Sequence, residues 1–203
     1  MIIRVHNKVI CIIVPQKSGI STVTNILSYP ITKEVTSKSR ARRILKRNNA
    51  LLHVGSTLKA EQIFAKENNI KIDYLYAVIR NPLDRFKSAY KDRIIVKNID
   101  NFPDNSLDYA LNNIKNVSTD FGKHARPQTE WLGKDLKVFD KVFDTYKLNS
   151  DFKPLIEKLT GVAIPEVKEN STSYANIKVE INEEQREIIN NFYKDDYLIF
   201  NSL

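Results

Sequence analysis

Six consecutive uncharged side chains, Val9-Ile10-Cys11-Ile12-Ile13-Val14, constrain this chain more than any other stretch. All but Cys11 are β-branched, and an apolar run this short, without alternation, fits a strand covered on both faces of a parallel sheet. Pro15-Gln16-Lys17-Ser18-Gly19-Ile20-Ser21-Thr22 follows, and a helical stretch begins near Thr22. A strand, a glycine turn and a helix N-terminus bring backbone N–H groups and the positive end of a helix dipole to one place, where a phosphate is stabilised. Lys17 adds a charge there, and Ser21 and Thr22 add hydroxyl donors. An ordinary βα turn carrying an exposed lysine fits the same residues, so a second stretch must decide.

That stretch is Tyr74 to Tyr90. The apolar run Tyr74 to Ile79 predicts another strand, and Arg80-Asn81-Pro82 makes a polar corner after it. Asn81 is a good N-cap, Pro82 suits the first helical position, and Asp84 favours the positive end of the dipole. Asn81, Asp84 and Ser88 share one helical stripe, so Arg80 and Ser88 can address the same ligand. Arg80 stands at a strand C-terminus, the edge where open α/β sheets bind nucleotides, and its planar fork suits a phosphate monoester.

With both stretches in view, the chain resembles the sulfotransferases that use 3′-phosphoadenosine 5′-phosphosulfate (PAPS), and among them the carbohydrate and heparan O-sulfotransferases. Lys17-Ser18-Gly19-Ile20-Ser21 matches their loop for the 5′-phosphosulfate, and Arg80-Asn81-Pro82 with Arg85 and Ser88 matches their signature for the 3′-phosphate. The resemblance implies the P-loop-like sulfotransferase fold and transfer of a sulfuryl group from PAPS to a hydroxyl, leaving adenosine 3′,5′-bisphosphate (PAP). The expected acceptor is a glycan that can itself be anionic. Lys17, Ser18, Gly19, Ile20, Ser21, Thr22, Arg80 and Ser88 would bind the donor, Lys17 would also act in catalysis, and no metal is required.

Two histidines compete for the role of base. Ala50 to Gly55 predicts a short strand, and His53 near its end resembles the strand-end base of the glycosaminoglycan 2-O-sulfotransferases. An imidazole can take a proton from an acceptor hydroxyl at neutral pH. His124-Ala125-Arg126-Pro127-Gln128 resembles a His, two residues, Pro-Gln motif of carbohydrate sulfotransferases related to the chondroitin enzymes. His124 otherwise reads as a loop or helix-start residue. Asn170 and Ser171 are weaker candidates, placed by their position in a polar stretch ahead of the last helix.

The remaining features bound the fold. At 203 residues the chain suits a single α/β domain, residues 1–203, with a central parallel sheet of about four or five strands flanked by helices. A strand within Ala50 to Gly55, a helix near Leu58 to Lys66 and the strand from Tyr74 read as a parallel crossover. A further strand is expected within Lys137 to Tyr146, a helix over Asp151 to Leu159 closed by Gly161, and a capping box of Asn182 with Gln185 before the final helix. Cys11 is the single cysteine, which rules out an intrachain disulfide and fits a core residue in a reducing compartment. The longest uncharged apolar run has six residues, so a soluble or cytoplasmic protein with no signal peptide or membrane segment is expected.

The net charge is +8, and Lys33, Lys38, Arg40, Arg42, Arg43, Lys46 and Arg47 face Glu34 alone. A solvated basic helix is the plain reading of that run, and attraction of an anionic acceptor or of donor phosphates is the functional one. Two other classes remain open: a nucleotide kinase or NTPase of P-loop type, and a basic nucleic-acid-binding protein. The first lacks the G-x-x-x-x-G-K-[ST] pattern. The second lacks aromatic residues interleaved with the basic run, which argues against nucleic acid as a partner.

Overall fold

The structure, a computed structural model, describes residues 1–5, 7–55, 57–102, 104–167 and 176–203, so Asn170 and Ser171 lie outside the described residues. Its strands are β1 (Ile2–Val5), β2 (Lys8–Ile13), β3 (Leu51–His53), β4 (Tyr74–Ile79) and β5 (Lys141–Asp144). The α-helices are α1 (Ile20–Thr32), α2 (Lys38–Arg47), α3 (Leu58–Glu67), α4 (Pro82–Tyr90), α5 (Leu107–Asn112), α6 (Asp120–Ala125), α7 (Thr129–Leu132), α8 (Lys153–Thr160), α9 (Glu183–Phe192) and α10 (Lys194–Phe200). The chain divides into two compact units, Met1–Ile79 with Trp131–Asn170, and Arg80–Glu130 with Ser171–Leu203.

The first unit holds a five-stranded α/β sheet in the order β3-β1-β2-β4-β5. Strands β2, β4 and β5 pair in parallel, with Ile10 opposite Tyr74 and Tyr76 opposite Lys141. Strand β1 is antiparallel to both its neighbours, setting Ile2 opposite Cys11 on one side and His53 on the other. The parallel sheet expected from the sequence is therefore mixed. The four strands read from the sequence all run the same way, and the reversed one is β1, whose four residues carry too little pattern to be read. Only two residues separate Val5 from Lys8, and so short a connection can join antiparallel strands alone. The insertion of β1 also moves β3 to the sheet edge, so the crossover through α3 passes over two strands rather than joining neighbours.

Ile3, Ile10, Ile12, Val23, Ile26 and Phe152 are fully buried in the core of this unit. Burial of each such side chain is worth roughly 1.5–3 kcal/mol against exposure. Cys11 shares the interior, and burial pushes its thiol up to about 12. The native thiol is therefore expected to resist iodoacetamide at about pH 8 and to be alkylated rapidly in denaturant, since the thiolate is the nucleophile. Mass spectrometry reads both states, and equal labelling of native and denatured protein would contradict this burial.

The second unit is helical around a separate core of Phe86, Tyr90, Phe121, Ile189 and Tyr193. Helix α4 begins where the sequence predicts: the Asn81 side chain accepts from Leu83 N–H at 3.0 Å and Asp84 N–H at 3.2 Å, with Pro82 in the first turn. The capping box before α9 is formed, with Gln185 N–H to Asn182 at 2.8 Å and Asn182 N–H to Gln185 at 3.1 Å. In the first unit Gly161 closes α8 in the left-handed region at φ 66°. Such reciprocal signals are local, so they survive whatever the tertiary context does.

Candidate active site

In the first unit β2 ends at Ile13, and the chain turns through Pro15 to Gly19 into α1. The Ser18 N–H donates to the Pro15 carbonyl at 3.1 Å, and Ser18 is fully buried. Lys17 and Gly19 are both left-handed, at φ 64° and 82°. A β-carbon on Gly19 would stand 2.8 Å from Leu148 Cδ1 and 3.3 Å from Thr145 Cγ2, so conformation and space both require glycine. Lys17 has no such excuse, and a non-glycine residue held there costs on the order of 1–3 kcal/mol. Left-handed residues in a tight turn gather successive N–H groups on one side, which is how backbone anion nests are built. Among the described residues no side chain caps α1, so the N–H groups that every helix leaves over are not taken by a cap there. Ser21 is half-buried and Thr22 buried in that first turn.

His53 ends β3, two strands from β2 across the same sheet, a lateral separation of about 10 Å from strand spacing. Its Nδ1 lies 2.8 Å from Oε2 of Glu61, and its ring stacks on Phe64 with centroids 3.8 Å apart and 7° between planes. Glu61 is fully buried on α3 and also accepts from the Gly55 N–H at 2.6 Å and from the α-ammonium of Met1. Burial alone would raise the Glu61 carboxyl; the Met1 ammonium and the hydrogen bonds from His53 and Gly55 outweigh it and hold the group below its ordinary value. In the neutral imidazole, a proton on Nδ1 facing this carboxylate leaves the lone pair on Nε2, the tautomer a base needs. Gly55 makes this possible, because a β-carbon there would meet the Glu61 carboxylate at 2.9 Å. Sequence reading missed Glu61; its signal is a carboxylate four residues before Ala65, on the face of α3 that is buried.

A cavity of about 400 Å³ opens in this unit, lined by sequence neighbours of both features but by neither Lys17 nor His53 itself. Gln16 and Ile20 of the loop line it, as do Val54 and Gly55 after His53. So do Lys38 and Arg42, one helical turn apart on α2. The basic helix thus has two faces: Arg40, Arg43, Lys46 and Arg47 are exposed, whereas Lys38 and Arg42 are half-buried toward the cavity. Burial pulls the Arg42 guanidinium below its ordinary value, and its Nε, out of reach of water, has no hydrogen-bond partner among the described residues.

In the second unit Arg80 precedes the N-cap of α4 and Ser88 stands in its last turn, and both are half-buried. Arg85, the other arginine of the signature, is structural. It is fully buried, donates from Nη1 to the His124 carbonyl and from Nη2 to the Ala125 carbonyl, both at 3.1 Å, and to that of Arg126, and lies 3.8 Å from Asp196. It therefore takes up carbonyls that the end of α6 leaves without helical partners. His124 stands in the last turn of α6, not in a loop or at a helix start, and its Nδ1 lies 2.8 Å from the Asp120 carbonyl. The structure thus groups the loop residues, His53 and the cavity in one unit, and Arg80, Ser88 and His124 in the other. Among the described residues no helix is long and apolar enough to cross a membrane.

A family model described as "Sulfotransferase family" matches residues 1–201. The chain belongs to the sulfotransferase family, and its fold is an α/β sulfotransferase fold with a partly parallel sheet. The reaction class that goes with the family is sulfuryl transfer, which makes the protein a transferase. No curated protein and no solved structure gave a match.

Proposed function

We propose that this sulfotransferase moves a sulfuryl group from PAPS to a hydroxyl of an anionic glycan, and that residues 1–203 work as one sulfotransferase domain. The observation that carries the reading is the loop after β2, where a left-handed Lys17 and a left-handed, closely packed Gly19 precede a helix N-terminus that no side chain caps among the described residues. Lys17, Ser18, Gly19, Ile20, Ser21 and Thr22 are assigned to the 5′-phosphosulfate, and Arg80 and Ser88 to the 3′-phosphate. In support, β2 and β4 are hydrogen-bonded parallel neighbours, and one signature follows the carboxyl end of each. The family match also runs through both units.

In the reaction the acceptor oxygen bonds to sulfur as the bond from sulfur to the 5′-phosphate oxygen breaks. The acceptor proton passes to His53 Nε2, and PAP leaves with the electron pair, its growing charge met by Lys17 and the loop N–H groups. Glu61 holds the imidazolium that forms. The cavity between the loop and the end of β3 is assigned to the acceptor, with Arg42 and Lys38 toward its negative group. Its volume stands near the small end of ligand pockets, about 300–1,000 Å³, which suits a terminal or single sugar unit better than a long stretch of polymer.

A thermal-shift titration tests the donor assignment, because a ligand that binds the native state alone raises apparent stability. PAP is expected to stabilise the protein more than adenosine 5′-phosphate does. Arg80→Ala should weaken PAP about tenfold or more, the worth of one charge-assisted hydrogen bond. Stabilisation by ATP with magnesium and none by PAP would replace this reading with an NTPase. Salt-sensitive DNA or RNA binding that survives Arg80→Ala, without a PAP response, would replace it with a nucleic-acid-binding one.

A further inference from the structure

The His124 to Gln128 motif has no part in the chemistry above, yet its last residue is fully buried and makes two hydrogen bonds to a single partner. Gln128 Oε1 accepts from the Arg80 N–H at 2.9 Å, and Gln128 Nε2 donates to the Arg80 carbonyl at 2.8 Å. Arg80 is the residue at which β4 has ended, with its last pair Ile79 opposite Asp144, and α4 has not begun. Its peptide groups therefore have neither a ladder nor a helix to satisfy them, and one side-chain amide replaces both.

Gln128 is itself held. Its N–H donates to Asp196 Oδ2 at 2.7 Å, and the Thr129 N–H and hydroxyl donate to Oδ1 of the same carboxylate at 2.9 and 3.1 Å. Arg85 binds the three carbonyls from His124 to Arg126, and the Tyr193 hydroxyl donates to that of Ala125. Two geometries are thus tied together within one unit: the segment 124–129 is fixed by Arg85, Tyr193 and Asp196, and it fixes Arg80 in turn.

We propose that Gln128 is a positioning residue that sets the backbone of Arg80 and so aims its guanidinium at the 3′-phosphate. This rests on the assignment of Arg80 to that phosphate. A side chain that merely stabilised the fold would, when lost, weaken every adenosine nucleotide alike. A positioning residue affects discrimination by the 3′-phosphate alone.

The test is the ratio of dissociation constants for adenosine 5′-phosphate and PAP, measured by calorimetry on the full chain. In Gln128→Ala the ratio should fall about tenfold, the share of a charge-assisted contact, with adenosine 5′-phosphate affinity unchanged. In Gln128→Glu, which keeps the shape, the neutral acid both donates and accepts whereas the carboxylate only accepts, so discrimination should be recovered at low pH and lost as pH rises. That variant carries the test if Gln128→Ala does not fold. Arg80→Ala with Gln128→Ala should discriminate no worse than Arg80→Ala alone, because both act through one contact. A folded Gln128 variant with wild-type discrimination at every pH, or additive losses in the double variant, overturns the proposal. A wild type that does not distinguish PAP from adenosine 5′-phosphate overturns the donor assignment itself, and the proposal with it.

Discussion

His53→Ala is expected to reduce sulfuryl-transfer turnover by roughly 10²–10⁴-fold, the usual share of a positioned general base, while PAP affinity stays near that of the wild type. The ring is fixed by two independent contacts, the 2.8 Å hydrogen bond to Glu61 and the stack on Phe64, so nothing need reorganise before it takes a proton. Glu61 cannot take that proton in its place. Its carboxyl is held below its ordinary value in the folded chain, so it stays ionised across neutral pH. The stability it contributes is present above the unfolded carboxyl value, about 4.3, and is lost only as pH falls through the lower folded one. His124→Ala is the control, since His124 ends α6 with Nδ1 turned to the Asp120 carbonyl. A His53 variant with near-normal release of PAP, using an acceptor that the wild type sulfates, would remove the base role. The donor assignment would stand, because it depends on Lys17, Arg80 and Ser88.

Features written in adjacent residues were legible in the sequence. The run Val9 to Val14 and the run Tyr74 to Ile79 became β2 and β4, and Asn81-Pro82 opened α4, because burial on both faces and a cap are each declared within a few positions. Strand β1 was not legible: Ile2-Ile3-Arg4-Val5 is too short to show a period, and its place between β2 and β3 follows from pairing, which no single stretch encodes. The partners of the candidate site were hidden for a related reason. Glu61 reaches His53 from another element, and Gln128 reaches Arg80 across 48 residues of sequence. The two readings of the basic run could not be told apart in the sequence, because which side of the helix turns inward depends on packing: α2 buries Ala41 and Leu45, and that tilt carries Lys38 and Arg42 inward as well. The division of labour in the arginine signature was equally invisible, since Arg80 and Arg85 have the same chemistry and differ in what surrounds them.

Lys17→Ala is expected to lower turnover by roughly 10²–10³-fold, the scale on which one preorganised oxyanion donor counts. Binding should suffer less, and unequally. In PAPS the bridging oxygen is still bonded to sulfur and carries little charge, so PAPS affinity should change least. In PAP the same oxygen bears the charge released by transfer, so PAP affinity should fall further than PAPS affinity does. Only an interaction stronger in the transition state than in the bound substrate raises the rate, and this ordering is its signature. Backbone strain complicates alanine at this position, because Lys17 sits at φ 64°. Lys17→Asn separates the two effects, since asparagine tolerates the left-handed region better than alanine does and carries no charge. Turnover equally low in both variants would locate the effect in the ammonium group, whereas recovery in Lys17→Asn would locate it in the loop conformation. Equal losses in turnover and in PAPS affinity would mean that Lys17 binds the donor uniformly and leaves the leaving-group charge to the N–H groups of the loop and of α1.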